Sequence, residues 1–532
     1  MCEIFANKKM TNYHEILDFL LAEKKLADPF GLPDMERTCE RLTQAILKKE
    51  QITVCGDYDV DGTLATTILL RFLRKAGAKV NQYIPHRTND GYGIKDETMK
   101  FLKKEYNTKV AISVDTGTVA FDAAEEALKQ DIDLIVTDHH NLSDKGLPPV
   151  FALVNAKRLE DENNVYLTLC GAAIAFYLTR GLNTYWQSNK YSLNIPEDDY
   201  LVLAMMGTVA DVMPLLRDNR IIVKYGLQQL PHCKIEGLIA LFNELGIHQP
   251  TAKDIAWRFA PIINAAGRLG SAQQALDLLS EENKMQAIVK AKDLIALNNK
   301  RRKISEEVNK KVLELGDIKV AQSNPPVIVV AGDFHEGVIG ISAAKLVDKY
   351  NRPSIVIGLN PDGHGKASCR SIEGFNVKLA IDYSKDFHLG GGGHDMAAGF
   401  SIKKDQIEAF EKKVIEYFLT HPPIQEKEVL VESELLYDEI NGQSIKLIEM
   451  FEPVGKNNEP PMVRINNCPV ATILEIRGGH LMYILENEMT ITVFNPSESL
   501  KNNKSIKKLD VIGELSSYKT NFKITAKKII EK

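Results

Sequence analysis

Short apolar segments alternate with helix-like segments along the chain from about residue 50 onward. Five apolar runs have the length of buried strands, and they cover residues 52–55, 80–84, 110–114, 134–137 and 151–154. Between them, residues 63–75 and 119–129 carry apolar side chains at helical spacing. Strands that alternate with helices predict a parallel sheet covered on both faces, so the fold class predicted for this region is α/β.

The pattern changes further along the chain. Residues 197–211 have the pattern of an apolar helix, and residues 271–315 combine few helix breakers with many charges, which predicts a long helical connector between two domains. A second α/β unit begins near Pro325, with strands at 327–331 and 354–357 around a helix at 337–350. After about residue 425, short strands at 463–465, 471–476, 481–485 and 490–494 predict a small β-barrel.

Acidic side chains follow three of the predicted strands at the point where each strand ends. They are Asp57, Asp59 and Asp61 after the first strand, Asp115 after the third, and Asp138, with His139 and His140, after the fourth. In a parallel sheet the carboxyl ends of the strands meet at one edge, where binding sites form. Clustered carboxylates repel one another unless cations lie between them, and hard divalent cations prefer oxygen ligands, while imidazole suits Mn²⁺ better than Mg²⁺. We therefore predict a site for two metal ions that acts on a phosphate ester.

Each acidic motif also has a simpler interpretation. The aspartates at 57, 59 and 61 could form a turn that caps the helix at Gly62, and residues 138–140 could be a solvated polar loop. Asp211 could be an ordinary acid at a helix end. A cap needs only one acid, whereas three alternate here, and Asp211 lies in an otherwise apolar segment. These patterns favour metal-ligand roles, with Asp138 orienting an imidazole.

Three small-residue motifs are typical of phosphate binding. The segment GKASCRS at 365–371 combines a cation with hydroxyls and small residues, and the glycines at 390–393, followed by His394, can expose consecutive backbone N–H groups. Residues 264–268 form a predicted turn that carries Arg268, whose guanidinium suits bidentate phosphate contact. Glycine runs are common in ordinary loops, but together with two metal ions these motifs indicate a phosphodiester strand as the ligand.

Composition and charge restrict the class of protein to which this chain can belong. The 532 residues are 44% hydrophobic and 26% charged, which is typical of soluble globular proteins, and we expect neither a signal peptide nor a transmembrane helix. Seven scattered cysteines without CxxC pairs argue against structural zinc and disulfides, and for a cytosolic location. The net charge of −5 gives no global indication of nucleic-acid binding. Residues 501–532 nevertheless carry nine lysines against three acids, which is either a local basic surface or a solvated tail.

Taken in order, these motifs resemble those of the DHH phosphoesterase superfamily, and within it the bacterial single-strand-specific exonucleases. The resemblance covers nearly the whole chain, through GDYDVDG (56–62), HRTNDGYG (86–93), VDTG (114–117), TDHH (137–140), GTVADVMPL (207–215), NAAGRLG (264–270), HEGVIGI (335–341), GKASCRS (365–371) and GGGGHDMAAGF (390–400). It implies an N-terminal helical segment (1–50), a parallel-sheet DHH catalytic domain (51–230), a helical connector (231–320), a DHHA1-type substrate-binding domain (321–422) and an OB-like nucleic-acid-binding barrel (425–532).

The same resemblance implies a 5′→3′ exodeoxyribonuclease, specific for single-stranded DNA, that hydrolyses phosphodiesters with two Mn²⁺ or Mg²⁺ ions in DNA repair and recombination. By resemblance, the metal ligands are Asp57, Asp59, Asp61, Asp115, His139 and Asp211, and the catalytic residues are Asp57, Asp138, His139 and His140. The implied substrate-binding residues are Arg87, Asn264, Arg268, Ser368, Arg370, Gly391, Gly392, Gly393 and His394. The implied partners are single-stranded DNA, single-strand-binding protein and a helicase, and the implied state is a cytoplasmic monomer.

Two departures from the family pattern and two alternative functions stay open. Ile262 stands where the resemblance leads us to expect an arginine, and FEPVGKNN at 451–458 is a looser version of the expected PFG-x-GN signature. One alternative is another DHH phosphoesterase that cleaves short oligoribonucleotides, phosphoadenosine phosphate or cyclic dinucleotides, although such an enzyme needs no barrel or long connector. The other is a nucleic-acid-binding or regulatory protein with an inactive metal centre, against which the intact set of acids argues.

Overall fold

The computed structural model describes residues 2–8, 10, 12–23, 25–86, 93–161, 163–423, 431–503, 505–518 and 521–531. The chain divides into two compact units. The first comprises Met1–Ile263, Ala272–Ala291 and Val429–Lys532, and the second comprises Asn264–Ser271 and Lys292–Glu428. In the described part of the chain, no helix combines the length and the apolar character needed to cross a membrane.

A five-stranded parallel sheet lies in the first unit, in the order β2-β1-β3-β4-β5. Its strands are β1 (Gln51–Gly56), β2 (Lys79–Tyr83), β3 (Val110–Val114), β4 (Asp133–Thr137) and β5 (Ala152–Val154). The first 210 residues also contain the helices α1 (Cys2–Asn7), α2 (Tyr13–Leu21), α3 (Met35–Leu47), α4 (Val60–Lys75), α5 (Asp96–Tyr106), α6 (Phe121–Lys129), α7 (Gly171–Ser188) and α8 (Asp198–Ala210). The predicted α/β class is confirmed, and each of the five strands predicted for this sheet begins and ends within one residue of the observed strand.

Side chains along each strand point alternately to the two faces of this sheet, and helices pack against both faces. Cys55, Ala111 and Leu134 point to one face, where they join a core with Met99 of α5 and Ala124 of α6. Helix α4 contacts β1, α7 and α8, and its residues from Val60 to Leu73 are all buried. Because α4 is enclosed on several sides, the sheet edge from which it starts is held firmly in place.

Helices dominate the next segment. They are α9 (Arg217–Gln229), α10 (Glu236–Glu244), α11 (Ala252–Asp254), a π-helical turn (Ile255–Phe259), α12 (Ala260–Leu269), α13 (Gln273–Leu279) and α14 (Lys284–Ser323). The predicted helical connector is present as α13 and the 40-residue α14. The turn predicted at 264–268 is wrong, because these residues lie inside α12, where Ala265 and Ala266 favour helix and Gly267 alone does not break it. Ile262 is buried in the same helix and fills a core position.

The second unit contains a mixed sheet in the order β6-β7-β8-β10-β9. Its elements are β6 (Ile328–Gly332), α15 (Ile339–Tyr350), β7 (Ser354–Leu359), β8 (His364–Arg370), α16 (Val377–Tyr383), β9 (Gly391–His394), β10 (Ala397–Lys403) and α17 (Ile407–Thr420). Glycine runs are common in loops, but residues 391–394 form the edge strand β9, antiparallel to β10. Glycine fits here because a Cβ at Gly391 would lie 2.5 Å from the Cβ of Phe400 on β10.

A closed five-stranded barrel forms the C-terminal module of the first unit. Its elements are β11 (Ser433–Leu436), α18 (Gly442–Glu449), β12 (Met462–Ile476), β13 (His480–Leu485), β14 (Thr490–Val493), α19 (Glu498–Asn502), β15 (Lys508–Tyr518) and β16 (Asn521–Glu531). The ring β12-β13-β14-β16-β15 closes through pairing of β12 with β15, and β11 adds to β12. The barrel prediction is confirmed, and the two strands predicted at 463–476 are one bulged strand. The lysine-rich segment contributes β15 and β16, so the solvated-tail interpretation is wrong.

One buried guanidinium joins three parts of the first unit. Arg220 of α9 is only 2% exposed and donates a hydrogen bond to the carbonyl of Phe19, whose ring centroid lies 4.0 Å from Cζ of Arg220. Four further hydrogen bonds of 2.9–3.2 Å go to the carbonyls of residues 450–453, which lie between α18 and β12. Asn458 closes the same segment by donating to the carbonyls of Phe451 and Pro453. The FEPVGKNN motif is therefore the docking segment of the barrel.

We predict that Arg220→Leu destabilises the first unit by about 3 kcal/mol or more, because five backbone carbonyls lose a charged donor at once. Chemical denaturation followed by circular dichroism measures the change, and limited proteolysis tests whether the barrel is released. Arg258→Leu is the matched control, since that side chain is exposed and pairs with Asp254, four residues before it. A denaturation midpoint equal to that of the control variant would contradict the docking role.

Candidate metal centre

The acidic side chains that follow β1, β3 and β4 meet at the carboxyl edge of the parallel sheet. Three groups of side chains could each hold a metal ion, because the ligand atoms within each group lie within 4.8 Å of one another. They are Asp57, Asp59 and Asp115; Asp61, His139 and Asp211; and Asp115, Asp138, His139 and His140. Asp211 joins the cluster from the C-terminal end of α8. The structure thus brings together all eight side chains that sequence reasoning assigned to the metal centre.

The three aspartates after β1 have different local contacts. The carboxylate of Asp59 accepts a hydrogen bond from the backbone N–H of Gly62 at 3.0 Å and caps α4, so the capping interpretation is correct for this residue. Asp61 accepts from the backbone N–H groups of Gly171 and Ala172 at 2.6 and 3.0 Å, at the start of α7. Asp57 differs, since its buried Oδ1 has no hydrogen-bond partner among the described residues. A cation would satisfy this oxygen.

Two glycines allow helices α7 and α8 to approach the carboxylates. A Cβ atom at Gly171 would lie 2.5 Å from the Cβ of Asp115, and one at Gly207 would lie 2.6 Å from Oδ1 of Asp61. Real Cβ atoms do not come this close to other atoms, so any larger residue would displace the aspartates. Sequence reasoning missed both glycines as site residues, although Gly207 lies in a quoted motif, because close approach between distant segments leaves no local pattern.

Asp115 occupies an unusual backbone conformation beside an imidazole. Its φ of +60° lies in the left-handed region, which aspartate tolerates better than most residues but which is often found at functional sites. Oδ1 of Asp115 lies 3.1 Å from Nε2 of His139, and Oδ2 of Asp211 lies 3.8 Å from the same nitrogen. One imidazole nitrogen therefore faces two carboxylates that arrive from different elements.

Asp138 fixes both histidines through its own hydrogen bonds. Its carboxylate accepts from the backbone N–H groups of His139 and His140 at 2.8 and 3.2 Å, and Nδ1 of His140 lies 2.7 Å from the same oxygen. The other oxygen accepts from the N–H of Thr118 at 2.9 Å. Asn155 donates to the hydroxyl of Thr118 and to the carbonyl of His140. Thr118 and Asn155 are supporting residues that sequence reasoning missed, because their polar side chains belong to no recognised motif.

Burial and mutual repulsion make the carboxylates bind protons when no cation is present. Burial, followed by the charge of Asp59, raises the pKa of Asp57 to about 8, and burial, followed by the charge of Asp61, raises the pKa of Asp211 to about 8. Burial also raises the pKa values of Asp59, Asp61 and Asp115. Divalent cations remove this repulsion, so the donor set fits hard metal ions such as Mn²⁺ and Mg²⁺.

The two histidines are driven to opposite protonation states. Burial, followed by repulsion from His140, lowers the pKa of His139 to about 4, which leaves the neutral imidazole that metals bind. Burial opposes the charge on His140 too, but the hydrogen bond and charge of Asp138 raise its pKa overall. Burial likewise opposes ionisation of Asp138, yet His140 holds the pKa of this carboxyl well below its ordinary value. His139 is thus the metal-ligand candidate, and His140 is the imidazole that binds a proton more readily.

A separate cluster in the second unit suits a phosphate group. Arg370 donates to the hydroxyl of Ser368 at 3.3 Å, and a Cβ at Gly340 would lie 3.0 Å from Nη2 of Arg370, so both side chains lie against the first turn of α15. Arg268 donates to the carbonyl of Gly337 at 3.0 Å, just before the same helix. Guanidinium groups, a hydroxyl and a helix N-terminus are the donors that phosphates prefer.

The remaining predicted substrate-binding residues are less closely tied to this cluster. Asn264 lies four residues before Arg268 on α12, which places both on one helix face. Gly391, Gly392, Gly393 and His394 form the exposed edge strand β9. Arg87 lies outside the described residues.

Three family models match the chain in consecutive order. The model of the DHH family, N-terminal domain, matches residues 51–208, that of the DHHA1 domain matches residues 324–420, and that of the RecJ OB domain matches residues 431–531. The three models correspond to the parallel-sheet domain, the mixed sheet of the second unit, and the C-terminal barrel.

Individual relatives agree with these models. The single-stranded-DNA-specific exonuclease RecJ of Bacillus subtilis (strain 168) is 32% identical over 92% of this chain, and the chain spans 62% of the length of that relative. The protein of the same name from Escherichia coli (strain K12) is 30% identical, with 81% of this chain and 77% of the relative covered. The crystal structure of RecJ in complex with Mn²⁺ from Thermus thermophilus matches with a TM-score of 0.82 at 27% identity, over 99% of this chain and 75% of that one. From its motifs, its three domains and these relatives together, the chain belongs to the RecJ family.

Proposed function

We propose that this protein is a single-stranded-DNA-specific 5′→3′ exonuclease that hydrolyses phosphodiesters with two Mn²⁺ or Mg²⁺ ions, in DNA repair and recombination. The observation that carries the proposal is the convergence of aspartates and a neutral imidazole on the carboxyl edge of one parallel sheet. The names of the RecJ relatives, and the Mn²⁺ of the Thermus complex, support the same activity and metal.

The proposed ligands are Asp57, Asp59, Asp61, Asp115, His139 and Asp211. Two divalent ions held by these groups would supply Lewis acidity that offsets the charge developing on the phosphate and activates the attacking water. Asp138 orients the imidazoles through its four hydrogen bonds, and His140, whose pKa is raised, can hold a proton near the phosphate. The catalytic set proposed from sequence, Asp57, Asp138, His139 and His140, is retained on these grounds.

We assign recognition of the 5′ end to the phosphate-binding cluster of the second unit. Ser368 and Arg370 lie against the first turn of α15 and Arg268 contacts the segment just before it, so backbone N–H groups and two guanidinium groups favour an anion there. Among the described strands, β9 (Gly391–His394) is an edge strand that pairs with β10, so outward-facing N–H groups of its glycines can donate to a strand backbone. Asn264 and Arg87 complete the proposed set by family resemblance.

The barrel favours a long strand over a short oligonucleotide or a cyclic dinucleotide as substrate. OB-type barrels bind single strands through a basic groove and base stacking, and this one carries the lysine-rich strands β15 and β16. The proposed division of the chain is therefore an N-terminal segment (1–50), a catalytic domain (51–230), a connector (231–320), an end-binding domain (321–422) and a strand-binding barrel (425–532). We further propose a cytoplasmic monomer that works with single-strand-binding protein and a helicase, as family membership suggests.

The first prediction separates the capping and ligand roles of Asp59. Asp59→Ala and Asp59→Asn should each reduce turnover of a 5′-labelled single strand with Mn²⁺ by about a hundredfold or more, because both remove a charge beside the reacting phosphate. Binding of the strand should persist in both variants. Asparagine can still accept from Gly62, so only the alanine variant should lose about 1 kcal/mol of stability. Full activity of Asp59→Asn would refute the ligand assignment, and cleavage confined to RNA dinucleotides would refute the exonuclease proposal.

Metal affinity should increase with pH. Asp57 and Asp211 have pKa values of about 8 without metal, so below that pH an ion must displace protons from them. We expect Mn²⁺ to bind more tightly at about pH 8.5 than at about pH 7. Calorimetry in buffers of different ionisation enthalpy should detect the protons released on binding. An affinity independent of pH across this window would contradict protonated carboxylates in the metal-free centre.

The same pKa values predict the stability of the metal-free protein. A carboxyl with a folded pKa of about 8 and an ordinary unfolded pKa binds more protons when folded, so stability falls as pH rises toward 8. In chelator, the thermal midpoint should be lower at about pH 8.5 than at about pH 7, and Asp57→Asn should reduce this difference. Saturating Mn²⁺ should raise the midpoint more at the higher pH.

End recognition predicts a selective effect of Arg370→Ala. Loss of this guanidinium should raise the KM for 5′-phosphorylated strands about tenfold while changing the KM for 5′-hydroxyl strands much less, because only the former presents a terminal phosphate. Lys366→Ala is the matched control, since this exposed cation lies on the same strand and contacts Ser401. Equal losses on both substrates would count against recognition of the 5′ phosphate.

A further inference from the structure

Trp257 presents an indole to solvent in a chain that has only two tryptophans. Trp186 is fully buried on α7 and stacks on Phe72 with a centroid distance of 5.6 Å, whereas Trp257 is 75% exposed. An aromatic side chain can bury about 150–250 Å² of surface, so an exposed indole gives up a large stabilising contribution. Neither the proposed metal centre nor the phosphate cluster uses this side chain.

The backbone around Trp257 is rigid even though the indole is exposed. Trp257 is the central residue of the π-helical turn Ile255–Phe259, a conformation that is frequent at functional sites. Ile255 and Phe259 on the same turn are fully buried, and the ring of Phe259 stacks on Phe242 at 5.9 Å. The indole is therefore held at a fixed position on the surface of the first unit.

Trp257 lines a concavity of about 370 Å³ that reaches the segment carrying Asp211. Val212 and Met213, the two residues after Asp211, line it as well, and Val212 is 61% exposed. Val212 has a φ of +53°, a costly conformation for a β-branched residue. The volume lies within the range of small-molecule sites, and a strained residue separates it from a proposed metal ligand.

Two lysine side chains give the concavity positive charge. Lys253 and Lys456 line it and are exposed, and neither has an ion-pair partner among the residues that the structure describes. The single acid in the lining, Glu514, lies 3.3 Å from Lys527, which offsets its charge. An aromatic face flanked by exposed cations, beside a centre for phosphodiester hydrolysis, is the combination that binds single-stranded nucleic acid.

We propose that Trp257 is a stacking platform for a nucleobase of the single-stranded substrate, with Lys253 and Lys456 contacting the adjoining phosphates. The inference rests on the proposed function, because the occupant is the strand that the metal centre would cleave. It adds a strand-positioning site within the first unit, formed by the connector residues Lys253 and Trp257 and by the docking segment of the barrel. Stacking is tolerant of sequence, as every base offers a π face, so the site would hold the strand without selecting bases.

Intrinsic fluorescence can report on this site directly. The full-length protein is titrated with an oligothymidylate in chelator, so that no cleavage occurs, while anisotropy of a label on the strand measures binding independently. Thymine stacking should quench the emission of Trp257, and the quenching should saturate with the same Kd as the anisotropy. Trp186 is buried and should not respond, so Trp257→Phe should abolish the quenching while raising Kd only about twofold.

Substitutions then test the contribution to binding and cleavage. Trp257→Ala should raise the Kd and the KM for long strands about tenfold, and Tyr13→Ala, which removes a similarly exposed aromatic ring, should leave both unchanged. Lys253→Ala and Lys456→Ala should each lower the slope of log Kd against log salt by about one. Thermal unfolding verifies that the variants remain folded.

The possible outcomes separate this inference from the proposed function. One outcome would overturn the stacking site and leave the exonuclease intact: the strand binds and is cleaved 5′→3′, but the emission of Trp257 is not quenched and Trp257→Ala binds with a normal Kd. The concavity would then serve a different partner, such as a protein. Absence of both binding and cleavage in the unmodified protein would overturn the proposed function and the stacking site together.

Discussion

Burial of several carboxylates at the carboxyl edge of the parallel sheet is the constraint on which the surrounding structure depends. Desolvation and mutual repulsion disfavour such a cluster, because each charged group loses water and meets others of the same sign. The chain reduces the cost with backbone donors. Asp59 caps α4, Asp61 accepts from the start of α7, and Asp138 accepts from three backbone N–H groups. The carboxylate oxygens that accept no backbone hydrogen bond face one another, so cations between them would offset their repulsion.

This arrangement also explains why the surrounding helices are so closely packed. Helices α7 and α8 must bring their backbones to within contact of Asp115 and Asp61, and only glycine at positions 171 and 207 leaves enough room. Helix α4 is buried along most of its length, so the residues at its start cannot shift to relieve repulsion. The centre is therefore fixed by packing before any metal binds, as preorganised electrostatic sites require.

Within the first unit, the segment that follows Asp211 connects the metal centre to the barrel. The backbone N–H of Leu215 donates to the carbonyl of Lys456 at 2.9 Å, in the same docking segment that Arg220 holds by four carbonyls. The strained Val212 and the exposed Trp257 lie along this junction. A buried arginine, a docking segment and a candidate stacking site thus occur together where a strand passing from barrel to metal centre would need guidance.

Much of the fold could be predicted because the relevant signals are local. The five strands of the parallel sheet, the helices between them and the barrel follow from periodicity, and the position of the acids after β1, β3 and β4 follows from the topology of parallel sheets. Two local signals were misleading. Small residues at 264–268 suggested a turn but form part of a helix, and the glycine run at 390–393 is of a kind common in loops, yet Gly391–His394 pairs as an edge strand. At 264–268 the helix preference of Ala265 and Ala266 outweighed the single Gly267, whereas at 391–394 pairing with β10 outweighed the weak strand preference of glycine.

The sequence by itself determined the chemistry proposed for this protein, because clustered acids, imidazoles and motifs typical of phosphate binding are recognisable from residue type and spacing. Only the tertiary structure decided how these groups are supported. Thr118 and Asn155 position the histidines from other parts of the chain, Gly171 and Gly207 make room for carboxylates, and Arg220 anchors a segment more than two hundred residues away. The exposure of Trp257 is likewise a tertiary property. Such roles depend on which distant surfaces meet, and that information is absent from any single stretch of sequence.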